Sequence, residues 1–194
     1  MPALPKTSDE AVIRAARVVL ERDGAAGFSM QAVATAVGVR APSLYKRFPD
    51  RDALLQTVAE DAARDLGARM VVADRAASTP AALTAMARAY RAFAHQAPHA
   101  YGLLFSASTP PSVEARAAAA APVLQRLASL VGARQKLRAA RLVTAWLHGF
   151  VSMELAGAFR LGGDVDGAFD YGLATLIAAA AATSRAPAGR RAGS

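Results

Sequence analysis

Ser43, Tyr45, Lys46 and Arg47 place two hydroxyls and two cations within five residues, with Arg40 before them and Arg51 after. Side chains of these types donate to phosphate oxygens and to the acceptor edges of bases, so the segment has the chemistry of a polyanion contact. Other reactive groupings are sparse. His95 and His99 stand four apart, the spacing of a metal pair on a helix, but Pro98 between them breaks the register and no cysteine or carboxylate neighbours them. His148 reads as a core histidine bonded to a neighbouring helix. No nucleophile elbow, zinc-protease helix, Walker loop or dinucleotide fingerprint occurs. The acids of the second half (Asp74, Glu114, Glu154, Asp164, Asp166 and Asp170) form no evident pair on one helix face, and the turn near Asp164 and Asp166 reads as a cap. Zero cysteines excludes a disulfide scaffold, zinc-thiolate sites and thiol nucleophiles. No catalytic residue, metal or cofactor is expected.

These groups sit in a chain of 194 residues, enough for one domain or for a small module joined to a larger one. Apolar residues at 54% and charged residues at 20% exclude disorder of the whole chain. The opening residues, MPALPKTSDEAV, lack an apolar core of signal-peptide length. No apolar run approaches the ~20 residues that span a bilayer, and the longest, near 173–182, is about half that. A soluble, cytoplasmic protein is expected. The net charge of +8 is uneven. Residues 1–72 carry ten basic and nine acidic side chains, a net of +1, whereas residues 73–194 carry thirteen and six, a net of +7 that includes Arg185, Arg190 and Arg191. The charge therefore permits nucleic-acid binding without locating it.

Helical periodicity dominates. Thr7 and Glu10 have capping-box spacing before a stripe of Val12, Ala16, Val19 and Leu20 that Asp23-Gly24 should stop. Ser29 opens a second helix, with Phe28 and Val33 at staple positions, which runs to about residue 36 before Gly38. Pro42 suits the first turn of a short third helix ahead of Phe48-Pro49, and Asp50 caps a long fourth one carrying Leu54, Leu55, Val58, Ala62 and Leu66. Further on, Pro80 opens a helix that Pro98 closes. Pro122 predicts a kink or break within 112–131. Helices over 133–159 and 165–183 flank Gly162-Gly163-Asp164. The expectation is an all-α fold of about nine helices: a head over 7–49, a connecting helix over 50–73, a body over 74–183 and a flexible tail over 184–194.

Residues 29–48 form a helix, a glycine-containing turn and a helix, the dimensions of a helix-turn-helix. Val33, Ala34 and Val37 supply a close-packing inner face, Gly38 tolerates positive φ, and Val39 can plug the core beneath the turn. Leu44 and Phe48, one turn apart, face inward, which leaves Ser43, Lys46 and Arg47 outside and Tyr45 at the edge. The stretch FSMQAVATAVGVRAPSLYKRFPDRDALL resembles the N-terminal domain of the tetracycline-repressor (TetR) family of transcription regulators, and the resemblance extends over residues 7–66. In the second half Trp146-Leu147-His148-Gly149-Phe150, Glu154, Gly157 and Phe169 resemble a subgroup named for a Trp-His-Gly element.

The resemblance implies double-stranded DNA as partner and gives residues roles by position. Ser29 donates to a phosphate and Gln31 reaches a base edge. Ala41, Pro42, Ser43 and Lys46 face the groove, Tyr45 and Arg47 touch phosphate or the groove edge, and Arg51 clamps the backbone from the start of the fourth helix. Ala41 and Pro42 are apolar where many relatives are polar, so hydrogen-bond readout rests on Gln31, Ser43, Lys46 and Arg40, a modestly specific set.

For the body, the resemblance implies a small-molecule chamber. The large apolar candidates are Met70, Met86, Tyr90, Phe93, Tyr101, Leu104, Phe105, Trp146, Phe150 and Met153, and scarce charge points to an apolar effector. Gly149 is expected to permit close helix approach. Stripes of Ala140, Thr144, Leu147, Val151, Leu155 and Ala158, and of Phe169, Leu173, Leu176 and Ala180, run the length of the last two helices and predict a four-helix homodimer interface matched to a palindromic site. The resulting reading is a ligand-released repressor. The rival is an all-helical small-molecule-binding protein or enzyme with a vestigial head.

Overall fold

Short polar side chains decide where most of the helices begin. Ser8, Ser29, Asp50, Ser78, Ser112 and Asp164 each accept from the backbone N–H three residues on, at 2.7–3.4 Å. Each such bond satisfies one of the donors that a helix start leaves without a partner. The computed structural model describes residues 8–185, and among them are nine helices and no strand. In chain order these are α1 (Asp9–Gly27), α2 (Met30–Val37), α3 (Ala41–Tyr45), α4 (Arg51–Ala73), α5 (Thr79–Gln96), α6 (Pro98–Leu103), α7 (Val113–Val131), α8 (Lys136–Leu155) and α9 (Val165–Arg185).

Several expectations change at the level of local structure. Thr7 lies outside the described residues, and Ser8 caps α1 instead, accepting from Ala11 at 3.2 Å. Gly24 does not end that helix: it adopts φ 67° as a kink, and one more turn follows to Gly27. Helix α7 continues through Pro122. The amide that a proline lacks would have bonded to Ala118, whose position is exposed, so water can serve the orphaned carbonyl. Helix α8 is shorter than the expected 133–159. Of the expected tail over 184–194, Ser184 and Arg185 belong to α9, while residues 186–194, with Arg190 and Arg191, lie outside the described residues.

The chain divides into two compact units. The first comprises residues up to Leu66 together with Phe93–Ala119, so α6 and the start of α7 fold with the segment expected to form the head alone. Its core takes Val12, Ala16, Val19 and Leu20 from α1, Val33 from α2, Leu44 from α3, Leu54 and Val58 from α4, and Phe93 and Tyr101. Arg17 fastens α1 to α4 by bonding Asp61 and Asp65, both at 3.1 Å. The Glu21 carboxylate caps α6, accepting from the amides of His99 at 3.1 Å and Ala100 at 2.8 Å.

The second unit comprises Gly67–Ala92 and the chain from Ala120 on. Here the dimer stripes need correction. Leu147, Val151, Phe169 and Leu173 are all buried within the protomer, together with Val143 and Ile177, so they form its own core and not a face left for a partner. Leu176 is half-buried, and Leu155 is exposed near the end of α8. The close approach of α8 and α9 also depends on a different glycine. Nothing lies within 4 Å of a Cβ placed on Gly149, whereas one on Gly172 would collide with the Trp146 ring. Helix α9 is long and apolar enough in composition to meet the length test for a membrane span, since its alanines extend the apolar run beyond the expected ten residues or so. Its buried Phe169, Leu173 and Ile177 pack it into the unit's core instead.

The expected chamber residues are divided between the two units. Phe93 and Tyr101 are buried in the first unit, and Met70, Met86 and Tyr90 in the second. Phe105 and Met153 are exposed and Leu104 is half-buried. Trp146 and Phe150 pack with Phe159 and Phe169 at ring-centre distances of 4.9–5.5 Å, so the rings fill the volume they were expected to enclose. Nor is this unit free of inward charge. Arg91 on α5 bonds Glu154 through Nε at 2.8 Å and through Nη2, meets Asp166 at 2.7 Å, and lies 4.7 Å from the centre of the Phe169 ring. The Glu154 hydrogen bond, ahead of the contact with Asp166, raises the Arg91 pKa well above its ordinary value. Burial lowers that of His148.

Candidate nucleic-acid interface

The turn between α2 and α3 is built by backbone chemistry. Ser29, the α2 N-cap, accepts from Ala32 at 3.1 Å and keeps its own O–H proton available for a further acceptor. Gly38 ends α2 at φ 78° and ψ 29°, donating to Ala34 and Thr35, and Val39 follows by donating to Ala34 at 3.0 Å. A residue with a Cβ is strained in that left-handed conformation, so glycine sets the angle at which α3 departs.

Helix α3 is only five residues long, with Pro42 in its first turn, and it is anchored by Leu44 and Phe48, both buried. That anchoring turns Pro42, Ser43, Tyr45, Lys46 and Arg47 to the exposed side. Gln31 and Arg40 are also exposed, while Ser29, Ala41 and Arg51 are half-buried. Val37 and Val39 are half-buried, so the inner face of the motif rests chiefly on Met30, Val33 and Ala34.

Two of the cations have intramolecular partners that spacing could not reveal. Arg47 pairs with Asp9 in the first turn of α1, Nε to Oδ1 at 2.8 Å. Arg51 turns back on the end of α1: it donates from Nε to the Phe28 carbonyl at 3.1 Å and from Nη2 to the Ala25 carbonyl. It also bonds Asp52 at 2.9 Å and lies 5.9 Å from the centre of the Phe28 ring. Its guanidinium thus closes the carbonyls that α1 leaves open, and this holds the start of α4 against the end of α1. No rule of sequence spacing could have found Asp9, because it stands 38 positions from Arg47.

Among the described residues no group of three or more histidine, cysteine or acidic side chains could hold a metal. What the exposed face of α3 offers is chemistry for phosphates and base edges: one ammonium, two hydroxyls and a small apolar start, with Gln31 and Arg40 beside them.

Comparison with known proteins agrees with this geometry. Residues 12–58 match the description "Bacterial regulatory proteins, tetR family", and residues 83–176 match "Tetracyclin repressor-like, C-terminal domain". An uncharacterised HTH-type transcriptional regulator of Mycobacterium tuberculosis is 30% identical over 157 residues, which cover 78% of this chain and 72% of the relative. The chain belongs to the TetR family of transcriptional regulators. Solved structures of TetR-type proteins share the fold. A TetR variant from Acinetobacter baumannii, crystallised with minocycline, has a TM-score of 0.71 at 23% identity, covering 93% of this chain and all of the other. The regulator SCO7222 of Streptomyces coelicolor, a TetR, has a TM-score of 0.75 at 15% identity, with 93% of this chain and all of the other covered. As a TetR-family member, the chain is a ligand-responsive DNA-binding regulator, and the stretch matched at its N-terminus contains the whole helix-turn-helix.

Proposed function

We propose that this TetR-family regulator is a cytoplasmic homodimeric repressor that reads a palindromic operator with α3 and leaves it when a small molecule binds its helical body. The observation that carries the reading is the anchoring of α3: with Leu44 and Phe48 buried, Pro42, Ser43 and Tyr45 on the second helix of the motif and Lys46 at its C-cap are exposed. In the assignment that follows, Ser29 and Tyr45 donate to phosphates. Gln31, Arg40, Ser43 and Lys46 read base edges, and Ala41 and Pro42 give apolar contact, for example to a thymine methyl. Arg47 exchanges Asp9 for a phosphate on binding. Arg51 acts by holding the helices in place. The Trp-His-Gly element of α8 belongs to the same proposal, as part of the effector-responsive body.

Release is a population shift between a state whose two heads match the operator and one whose heads do not. Moving such a balance from 99:1 to 1:99 takes about 5.5 kcal/mol of differential ligand affinity. The test is a mobility-shift titration on the DNA upstream of the regulator's own gene. Lys46→Ala weakens operator binding by about 1–3 kcal/mol and relaxes preference at one base pair per half-site. Uniform weakening across all sequences would assign Lys46 to phosphate contact alone.

Dimerisation is supported by the outer side of α9, since Phe169, Leu173 and Ile177 are its buried residues among the described side chains and the rest of this apolar helix is half-buried or exposed. With Leu173 and Ile177 turned inward, the face available to a second copy carries Ala174 and Ala178, alongside Ala145 and Gly149 of α8, all exposed and small. Small residues let four helices approach closely and leave no room for a long charged side chain. Ala178→Arg therefore leaves the protomer folded but yields monomers at micromolar concentration that bind a half-site weakly. Sedimentation showing an intact Ala178→Arg dimer would move the interface elsewhere.

A further inference from the structure

At one end of the second unit, where α7 finishes, α8 begins and α9 ends, a cleft of about 260 Å³ opens to solvent. Residue size explains it. Along most of their contact α8 and α9 fill the core with Val143, Leu147, Val151, Phe169, Leu173 and Ile177, but at this end the cleft is lined by Ala139 and Ala180. Val131 and Leu142 complete an apolar wall. None of the residues expected to line an effector chamber borders this cleft.

The polar part of the lining is small and of one sign. Thr183 and Ser184 donate their hydroxyl protons to helix carbonyls, which leaves Gln135 and Arg138 as the side chains able to donate at the mouth. Arg138 is exposed and has a long contact, 3.4 Å, to the Gln135 oxygen. Arg134, Lys136 and Arg141 surround it in sequence, and none of these four cations has an ion-pair partner among the described residues. From Ala115 to Met153 the chain carries six cations and no acid, and α9 carries no charge between Tyr171 and Ser184. An apolar hollow beside which the adjoining stretches, 115–153 and 171–184, supply only positive charge is complementary to a molecule with a short hydrocarbon body and an anionic end.

We propose that this cleft binds a small amphiphilic carboxylate, its chain against Ala139, Leu142 and Ala180 and its carboxylate on Arg138 and Gln135. The volume suits a straight chain of roughly eight carbons. A planar guanidinium fork is the side chain that matches a carboxylate best. The site is independent of the DNA-binding reading and can be tested without an operator.

The experiment is calorimetric titration of the full chain with octanoate and, in parallel, with octanol, which keeps the chain and removes the charge. Octanoate binds saturably at one site per protomer, and octanol binds about tenfold more weakly or less. Arg138→Gln removes the advantage of octanoate and leaves octanol unchanged. Ala180→Phe, which fills the hollow, abolishes binding of both. Arg138 is exposed, so its variant folds, and circular dichroism with a thermal melt checks Ala180→Phe. Absence of saturable octanoate binding, equal binding of the two probes, or octanoate binding untouched by Arg138→Gln would each overturn the assignment. So would Ala180→Phe weakening the dimer of a protein that takes up no octanoate, since the occupant would then be a second copy.

Discussion

Glu154→Gln lowers the stability of the C-terminal unit by about 3 kcal/mol, because it leaves the Arg91 guanidinium inside the helices with too little charge to face. The Glu154 side chain is only 7% exposed and that of Arg91 20%, so water replaces the lost partner poorly. Asp166 keeps one contact to Arg91, but its own side chain is largely solvated and cannot offset the removed charge. The Phe169 ring, 4.7 Å from the guanidinium, adds attraction that depends on Arg91 staying where Glu154 holds it. Urea denaturation measures the effect as a lower midpoint with an unchanged slope. The double variant Arg91→Met, Glu154→Leu regains most of the loss, since an apolar pair of similar volume avoids the desolvation of both charges. A single variant as stable as the parent would show that the cluster is solvated in solution and contributes nothing.

Arg51→Ala costs the N-terminal unit about 2–3 kcal/mol, through charge-assisted bonds to two carbonyls at the end of α1. Operator affinity falls with it, because the angle between α1, α2 and the start of α4 is no longer held. The dependence of binding on salt stays that of the parent, since no phosphate contact has been removed. Arg51→Lys rescues little: an ammonium cannot bond both carbonyls from the directions that a planar fork reaches. Thermal melts and binding titrations at several salt concentrations separate the alternatives. A salt slope reduced by about one with an unchanged melting temperature would return Arg51 to direct contact with the DNA backbone.

These two arginines mark the boundary between what was legible in the chain and what was not. Caps, turns and core-facing positions of the first four helices depend on residues close in sequence. Ser29 with Ala32, Gly38 with Ala34, and Leu44 with Phe48 are local relations, and spacing alone predicts them. The same holds for the exposed set on α3, because a helix that buries two positions one turn apart has its outward face decided at once. The TetR resemblance also lay in this local pattern of an apolar residue, a serine, a glycine-valine turn and Leu-Tyr-x-x-Phe.

Long-range pairing was decided only in three dimensions. Nothing near Arg47 or Arg51 in sequence shows that one faces Asp9 and the other the carbonyls of Ala25 and Phe28. The stripes of α8 and α9 were visible as apolar periodicity, but periodicity reports only that a face must be covered. The same side chains satisfy it whether the cover is the protomer's own core or a second copy. Packing chose the first for Leu147, Val151, Phe169 and Leu173, and left the small residues Ala174 and Ala178 outside. Gly172 had no local signal, because its need for a bare backbone comes from Trp146 on another helix. Sequence by itself thus determined the helices, the turn and the chemistry presented on α3, which rest on contacts within a few residues. Tertiary structure decided which cations are already paired and which apolar faces are already covered, because both depend on groups brought together from distant parts of the chain.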